Sequence, residues 1–107
     1  MRRLLPALLA AFLLPTVAAQ AQAAGKTHTV RIEGMKFVPE RLEIARGERV
    51  TFFNKDIVPH TVTAKAAGIE SGDIRGGGSW TLSAAKDSEV TYICRLHPMM
   101  RGTLVVK

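Results

Sequence analysis

The sequence contains little cysteine: Cys94 is the only one in 107 residues. A single cysteine excludes an intrachain disulfide, although small exported domains usually depend on such bonds or on a metal for their stability. The thiol is therefore an inert buried side chain, half of an intermolecular bridge, or a metal ligand.

The sequence also lacks a concentration of charge of one sign. The formal net charge is +6, but Arg41, Arg46 and Arg49 alternate with acidic residues, and aromatic residues make up only 6% of the chain. No basic block with interleaved aromatics is present, which argues against a nucleic-acid partner. A mild positive balance is compatible with steering toward an acidic protein partner.

The signatures of several enzyme classes are absent as well. The sequence has no HExxH motif, no nucleophile elbow and no paired-carboxylate pattern, so nothing supports a hydrolase. The glycine run at 76–78 is not followed by GK[ST] and predicts a loop, not a phosphate site. We therefore expect a protein that is not an enzyme.

The N-terminal region has the pattern of a secretory signal peptide. Arg2 and Arg3 precede an uncharged apolar stretch at 4–17, and the small-residue motif 21–23 follows. The stretch is short and interrupted by prolines, so an uncleaved membrane anchor is the weaker alternative. The sequence predicts a signal peptide over 1–23 and a single domain over 24–107, exported to the periplasm without membrane insertion.

No segment after the signal region has the periodicity of a long helix. Short runs of β-branched, aromatic and alternating apolar residues recur instead, separated by Gly, Pro, Asn and Asp. This pattern is typical of an all-β sandwich or barrel. The runs lie at 29–33, 41–44, 50–53, 61–63, 80–82, 90–93 and 103–106.

The residues around Cys94 indicate a role for the single thiol. Cys94, His97 and Met100 recur at every third position in YICRLHPMMRG (92–102), and His60 follows Pro59 far upstream. Residues at one end of neighbouring strands can converge in a β-sandwich. Two imidazoles, one thiolate and a weak thioether are the ligands of a blue-copper electron-transfer site.

The same residues allow other interpretations. Zinc would accept the cysteine and both histidines, but a structural zinc site does not take methionine as its fourth ligand. Storage or delivery of copper is the alternative function, although the chain has no flexible Met- or His-rich tract. A multicopper enzyme needs further histidines, and only His28 remains.

The motifs VPHTV (58–62), SG (71–72) and YICRLHPMMRG (92–102) resemble those of the cupredoxins. Among cupredoxins the resemblance is greatest to the amicyanins, because two residues separate Cys94 from His97 and two separate His97 from Met100. The resemblance implies a Greek-key β-sandwich that holds one type 1 copper ion, cycling between Cu(I) and Cu(II), in a monomer.

The resemblance also implies roles for individual residues. The copper ligands would be His60, Cys94, His97 and, in preference to Met99, Met100. His97 would present an edge to solvent, and electrons would pass there to redox proteins such as an amine dehydrogenase and a c-type cytochrome. The docking patch around it would comprise Val58, Pro59, Leu96, Pro98 and Met99, and Met35 is a further candidate.

Overall fold

The structure of the protein is a computed structural model that describes residues 25–107, together with Arg3 and Ala11. The predicted signal peptide lies outside the described residues except at those two positions, so its cleavage stays a prediction. In the part of the chain that is described, no helix is both long and apolar enough to cross a membrane.

Over residues 25–107, nine strands form two sheets. The first sheet has the order β2-β1-β4-β7 and the second has the order β3-β9-β8-β5-β6. Within the described ranges the only helical element is a 3₁₀ turn at Lys65–Ala67. The strands are β1 (Thr27–Ile32), β2 (Phe37–Val38), β3 (Arg41–Ile44), β4 (Arg49–Asn54), β5 (Thr63–Ala64), β6 (Ile69–Glu70), β7 (Ser79–Ser83), β8 (Ser88–Ile93) and β9 (Arg101–Val106).

Both sheets are mixed, and alternation along their strands builds the core. β1 runs parallel to β4, so that Val30 lies beside Phe52, and both side chains are buried. β3 runs parallel to β9, whereas β8 and β9 are antiparallel. Because side chains of a strand alternate between faces, every second residue of these strands enters the space between the sheets. The predicted all-β sandwich is confirmed.

The structure corrects the expected strand at 61–63. Only Thr63 and Ala64 form a strand there, and His60 makes an isolated bridge to Ile74. The reason is local: the Thr61 N–H is directed at the sulfur of Cys94, and the Val62 N–H donates to the Ser71 hydroxyl. Both donors therefore go to side chains, and no regular ladder can form.

An aromatic cluster joins the two sheets under the C-terminal strands. Tyr92 of β8 meets Phe37 and Phe52 edge to face, with ring centroids 4.9 and 5.3 Å away. Edge-to-face pairs of this kind add stability beyond that of area burial. Burial raises the pKa of the Tyr92 hydroxyl. The ring lies directly over Gly102, where a Cβ atom would collide with its Cζ and Oη atoms.

We expect Gly102→Ala to lower the free energy of unfolding by about 1–3 kcal/mol, because the methyl group would displace the Tyr92 ring from its packed position. Chemical denaturation of the apoprotein measures the change. Ser79→Ala, at an exposed strand position, is the control and should change stability by about 0.5 kcal/mol or less. Equal stability of Gly102→Ala and the control would contradict the close packing.

Candidate metal centre

Cys94 is positioned by the alternation of β8. Tyr92 faces the core, and two residues later Cys94 is on the same face and is fully buried. The chain then turns tightly: the N–H of His97 donates to the carbonyl of Cys94 at 3.2 Å, and the N–H of Met100 donates to that of His97 at 2.9 Å. The Cys94 N–H donates in turn to the Met100 carbonyl at 3.2 Å. The loop 94–100 is therefore held by its own backbone.

His60 reaches the same place from the other side of the sequence. Its backbone exchanges two hydrogen bonds with Ile74, of 3.1 and 2.7 Å. The neighbouring Thr61 joins the His60 segment to the cysteine loop, because its N–H lies 3.3 Å from the Cys94 Sγ and its hydroxyl accepts the Arg95 N–H at 2.8 Å. These contacts fix the position of the His60 segment relative to the cysteine loop.

The three side chains converge on one point. The Sγ of Cys94 lies 3.7 Å from the Nδ1 of His60 and 3.8 Å from the Nδ1 of His97. The ligand atoms of the three residues all lie within 4.8 Å of one another. Cys94 and His60 are buried, whereas His97 is partly exposed. The structure thus brings together three residues that the sequence pattern predicted to meet.

The two adjacent methionines lie in different environments. Met100 is only 5% exposed and belongs to the same buried cluster as Cys94, whereas Met99 is 94% exposed. Met100 immediately precedes β9, so its position is set by the strand. This separation matches the expectation that Met100 turns inward and Met99 faces solvent, and the role of Met100 as a ligand stays a prediction.

Sequence reasoning missed Asp56, which contacts the other side of the His60 ring. Its Oδ2 lies 2.8 Å from the His60 Nε2, and its carboxylate also accepts the N–H groups of Gly34 and Met35. Burial acts to raise the pKa of Asp56, but the hydrogen bonds from Met35, Gly34 and His60 outweigh it, so this pKa lies below its usual value. An acidic residue four positions before a candidate ligand was the available signal.

The predicted docking-patch residues Val58, Pro59, Leu96, Pro98 and Met99 are all exposed. Met35 is exposed too, and together with Phe37, Pro98 and Met99 it lines a cavity of about 640 Å³ beside His97. Sequence reasoning missed Ile57, which is 97% exposed although it is aliphatic. Its place in the apolar run before His60 was the signal that could have identified it.

The donor atoms fit copper. They are two imidazole nitrogens and one thiol sulfur, and among the described residues no carboxylate belongs to the group. Soft sulfur suits Cu(I), imidazole suits both oxidation states, and a carboxylate-poor set disfavours Mg²⁺ and Ca²⁺. Because Asp56 contacts the His60 Nε2, the Nδ1 is the ring nitrogen left to face the site.

Comparisons with known proteins agree with this geometry. Residues 5–106 match the family model of the cupredoxin-like domain. Amicyanin-alpha of Methylorubrum extorquens is 33% identical over 95 residues, which cover 84% of this chain and 79% of that protein. The crystal structure of amicyanin from Paracoccus versutus matches with a TM-score of 0.70 and 29% identity, covering 76% of this chain and 81% of that one.

A larger protein is similar over part of its length. A copper-containing nitrite reductase from Thermus scotoductus SA-01 matches with a TM-score of 0.70 and 29% identity. The match covers 76% of this chain but only 22% of the reductase chain. The similarity therefore concerns only about a fifth of the length of that enzyme's chain.

A β-sandwich of two mixed sheets with a His-Cys-His cluster at one end defines a blue-copper protein, and this chain belongs to the cupredoxin family. Within that family it is amicyanin-like. Its cofactor is one type 1 copper ion.

Proposed function

We propose that this protein is a periplasmic electron carrier whose copper ion is held by His60, Cys94 and His97, with Met100 as a weak axial ligand. One observation carries the proposal: two imidazole Nδ1 atoms face a single buried thiol sulfur at 3.7 and 3.8 Å. Two nitrogens and one sulfur in this arrangement match the trigonal ligand set of blue-copper sites.

The surroundings of the site favour electron transfer over chemistry on a substrate. Bound copper would supply a one-electron Cu(I)/Cu(II) couple. The chain holds its donors in place: Cys94 accepts the Thr61 N–H, His60 contacts Asp56, and both ligand segments are tied to the sandwich. Donors that cannot move much keep the same geometry in both oxidation states, which lowers the cost of reorganisation.

His97 offers the route for electrons. It is the one partly exposed member of the cluster, and the predicted docking patch and Ile57 place exposed apolar residues on the neighbouring loops. Redox proteins form small, transient interfaces, for which such a surface is sufficient. Amine dehydrogenases and c-type cytochromes are the partners we propose, with the protein acting as a monomer.

Storage or delivery of copper is the competing function. A protein that hands over its metal needs ligands that an acceptor can approach, but Cys94 and His60 are fully buried and only His97 reaches the surface. The burial of both side chains favours a resident ion. Slow exchange of bound copper with a chelator would agree with the carrier, and rapid exchange would favour delivery.

Titration of the apoprotein with Cu(II) is the primary test. We expect one equivalent to produce an intense blue thiolate-to-copper absorption, because the Cys94 sulfur would bond directly to the metal. Cys94→Ser should abolish the blue band while the fold is retained. The control is Ser79→Ala, which should stay blue. A pale wild-type protein would contradict the electron-carrier proposal.

Met100→Leu and Met99→Leu form a matched pair that tests the axial ligand. We expect Met100→Leu to remain blue but to raise the reduction potential by about 60 mV or more, equivalent to a tenfold change in relative affinity. The reason is that loss of an electron-pair donor destabilises Cu(II) more than Cu(I). Voltammetry should show no such change for Met99→Leu. Equal potentials for the two variants would remove Met100 from the ligand set.

Electron self-exchange between oxidised and reduced molecules tests the docking patch without a partner. We expect Met99→Lys to slow self-exchange by about tenfold, because two like charges would meet when the His97 edges approach. NMR line broadening in mixtures of the two states measures the rate. Ala85→Lys, in the β7–β8 turn at the opposite end of the sandwich, adds the same charge and should have little effect. Equal rates for both variants would place the electron-transfer surface elsewhere.

A further inference from the structure

The carboxylate of Asp56 lies between the His60 ring and the turn that follows β1. On one side its Oδ2 meets the His60 Nε2 at 2.8 Å. On the other side its Oδ1 accepts the Gly34 N–H at 2.8 Å, and its Oδ2 accepts the Met35 N–H at 3.0 Å. One acidic group therefore contacts a proposed copper ligand and the β1–β2 turn together.

The turn that Asp56 holds is conformationally unusual. Gly34 and Met35 both have left-handed backbone angles, with φ of 64° and 62°. Met35 is the only non-glycine residue with positive φ in the described part of the chain. A long side chain in this region is disfavoured without supporting contacts, and the two hydrogen bonds to Asp56 provide that support. The exposed Met35 then lines the cavity beside His97.

Asp56 is itself held in place. Its N–H donates to the Oδ1 of Asn54 at 2.9 Å, and the Nδ2 of Asn54 donates to the carbonyls of Val58 and Ile74. Asn54 is fully buried, so the loop 54–60 is built around its side-chain amide. The Asp56 side chain is only 17% exposed, so water has little access to compete for the hydrogen bonds that its carboxylate accepts. The carboxylate is a fixed acceptor rather than a mobile surface group.

We propose that Asp56 is a positioning residue that orients the His60 ring for the metal and links that ring to the Met35 turn of the docking surface. An ionised carboxylate can only accept hydrogen bonds, so the His60 Nε2 must carry the proton and donate it. The Nδ1 is then the unprotonated nitrogen that faces Cys94. A carboxylate behind a ligating histidine fixes its tautomer and raises its basicity.

The charge of Asp56 has a second consequence. A fixed negative charge one imidazole away from the site favours the more highly charged Cu(II) over Cu(I), because charges in a partly buried site are poorly screened. Asp56 therefore influences the potential as well as the geometry. This inference rests on the proposed copper function, and the experiments below separate the two.

The first experiment needs no copper. In the wild-type apoprotein, two-dimensional ¹H–¹⁵N NMR of the histidine rings should show His60 protonated at Nε2 and unprotonated at Nδ1. Backbone amide ¹H–¹⁵N spectra of the same protein should show slow solvent exchange of the Met35 N–H. Protonation of His60 at Nδ1 would overturn the proposal regardless of whether the protein binds copper. A wild-type protein with the Nε2–H tautomer that failed to bind copper would overturn the proposed function alone.

The second experiment compares Asp56→Asn with Asp73→Asn. Asp73 is exposed and directly precedes Ile74, whose backbone pairs with that of His60. Its carboxylate pairs with Arg95 and with none of the proposed ligands among the described residues, so its substitution removes the same charge near the site without changing a ligand contact. We expect Asp56→Asn to lower Cu(II) affinity by about 10- to 100-fold and to lower Cu(I) affinity less. The potential should rise by about 59 mV for each tenfold difference between the two losses.

Asp56→Glu keeps the charged acceptor and is the variant to use if Asp56→Asn does not fold. It should retain the Nε2–H tautomer of His60 and a potential closer to that of the wild type than to that of Asp56→Asn. In Asp56→Asn the Met35 N–H should also exchange faster. The proposal is wrong if Asp56→Asn and Asp73→Asn have the same copper affinities, the same potential and the same exchange rate of the Met35 N–H.

Discussion

The metal centre depends on the attachment of two distant segments to each other through Thr61. Its N–H is directed at the Cys94 sulfur, and its hydroxyl accepts the N–H of Arg95, so a single residue next to His60 contacts both Cys94 and its neighbour. The buried Thr61 hydroxyl also pairs with that of Thr63. Hydrogen bonds in a buried site are costly to break, because the groups cannot turn to water. This attachment holds the segment of His60 against the segment of Cys94.

The same network extends outward to the surface. Thr63 donates to Glu70, and Glu70 also pairs with Arg95, so the residue after Cys94 is held by backbone and side chain. The hydrogen bond from Thr63 is the largest influence on the pKa of Glu70 and lowers it; desolvation opposes this, and the hydrogen bond from Arg95 lowers the pKa further, so that it lies below its usual value. The carboxylate therefore stays ionised and can pair with Arg95 over the ordinary pH range. A second carboxylate, that of Asp56, contacts the His60 ring directly.

Much of the fold could be predicted, because the longer strands carry their own signal. The alternation of Val30 and Ile32, and of Val50 and Phe52, matches buried faces of β1 and β4. The two-residue strands β2 and β6 were missed, since a run this short shows no period. The strand expected at 61–63 was wrong for a tertiary reason. The N–H groups of Thr61 and Val62 are directed at the side chains of Cys94 and Ser71, which lie 33 and 9 residues further along the chain.

The residues of the site also differ in whether local sequence or only the tertiary structure identifies them. Cys94, His97 and Met100 lie in one loop, so their types and spacing predicted the metal, and strand alternation already directs Cys94 inward. Asp56 and the exposed Ile57 had only the weak signal of their places in the segment just before His60. A carboxylate in a loop is usually a solvated group, and its role here arises only because the fold brings the Gly34–Met35 turn and the His60 ring to its two oxygens. The amino-acid order thus carries the donor set, whereas the folded chain alone decides the distances and partners, because these depend on contacts between residues far apart in sequence.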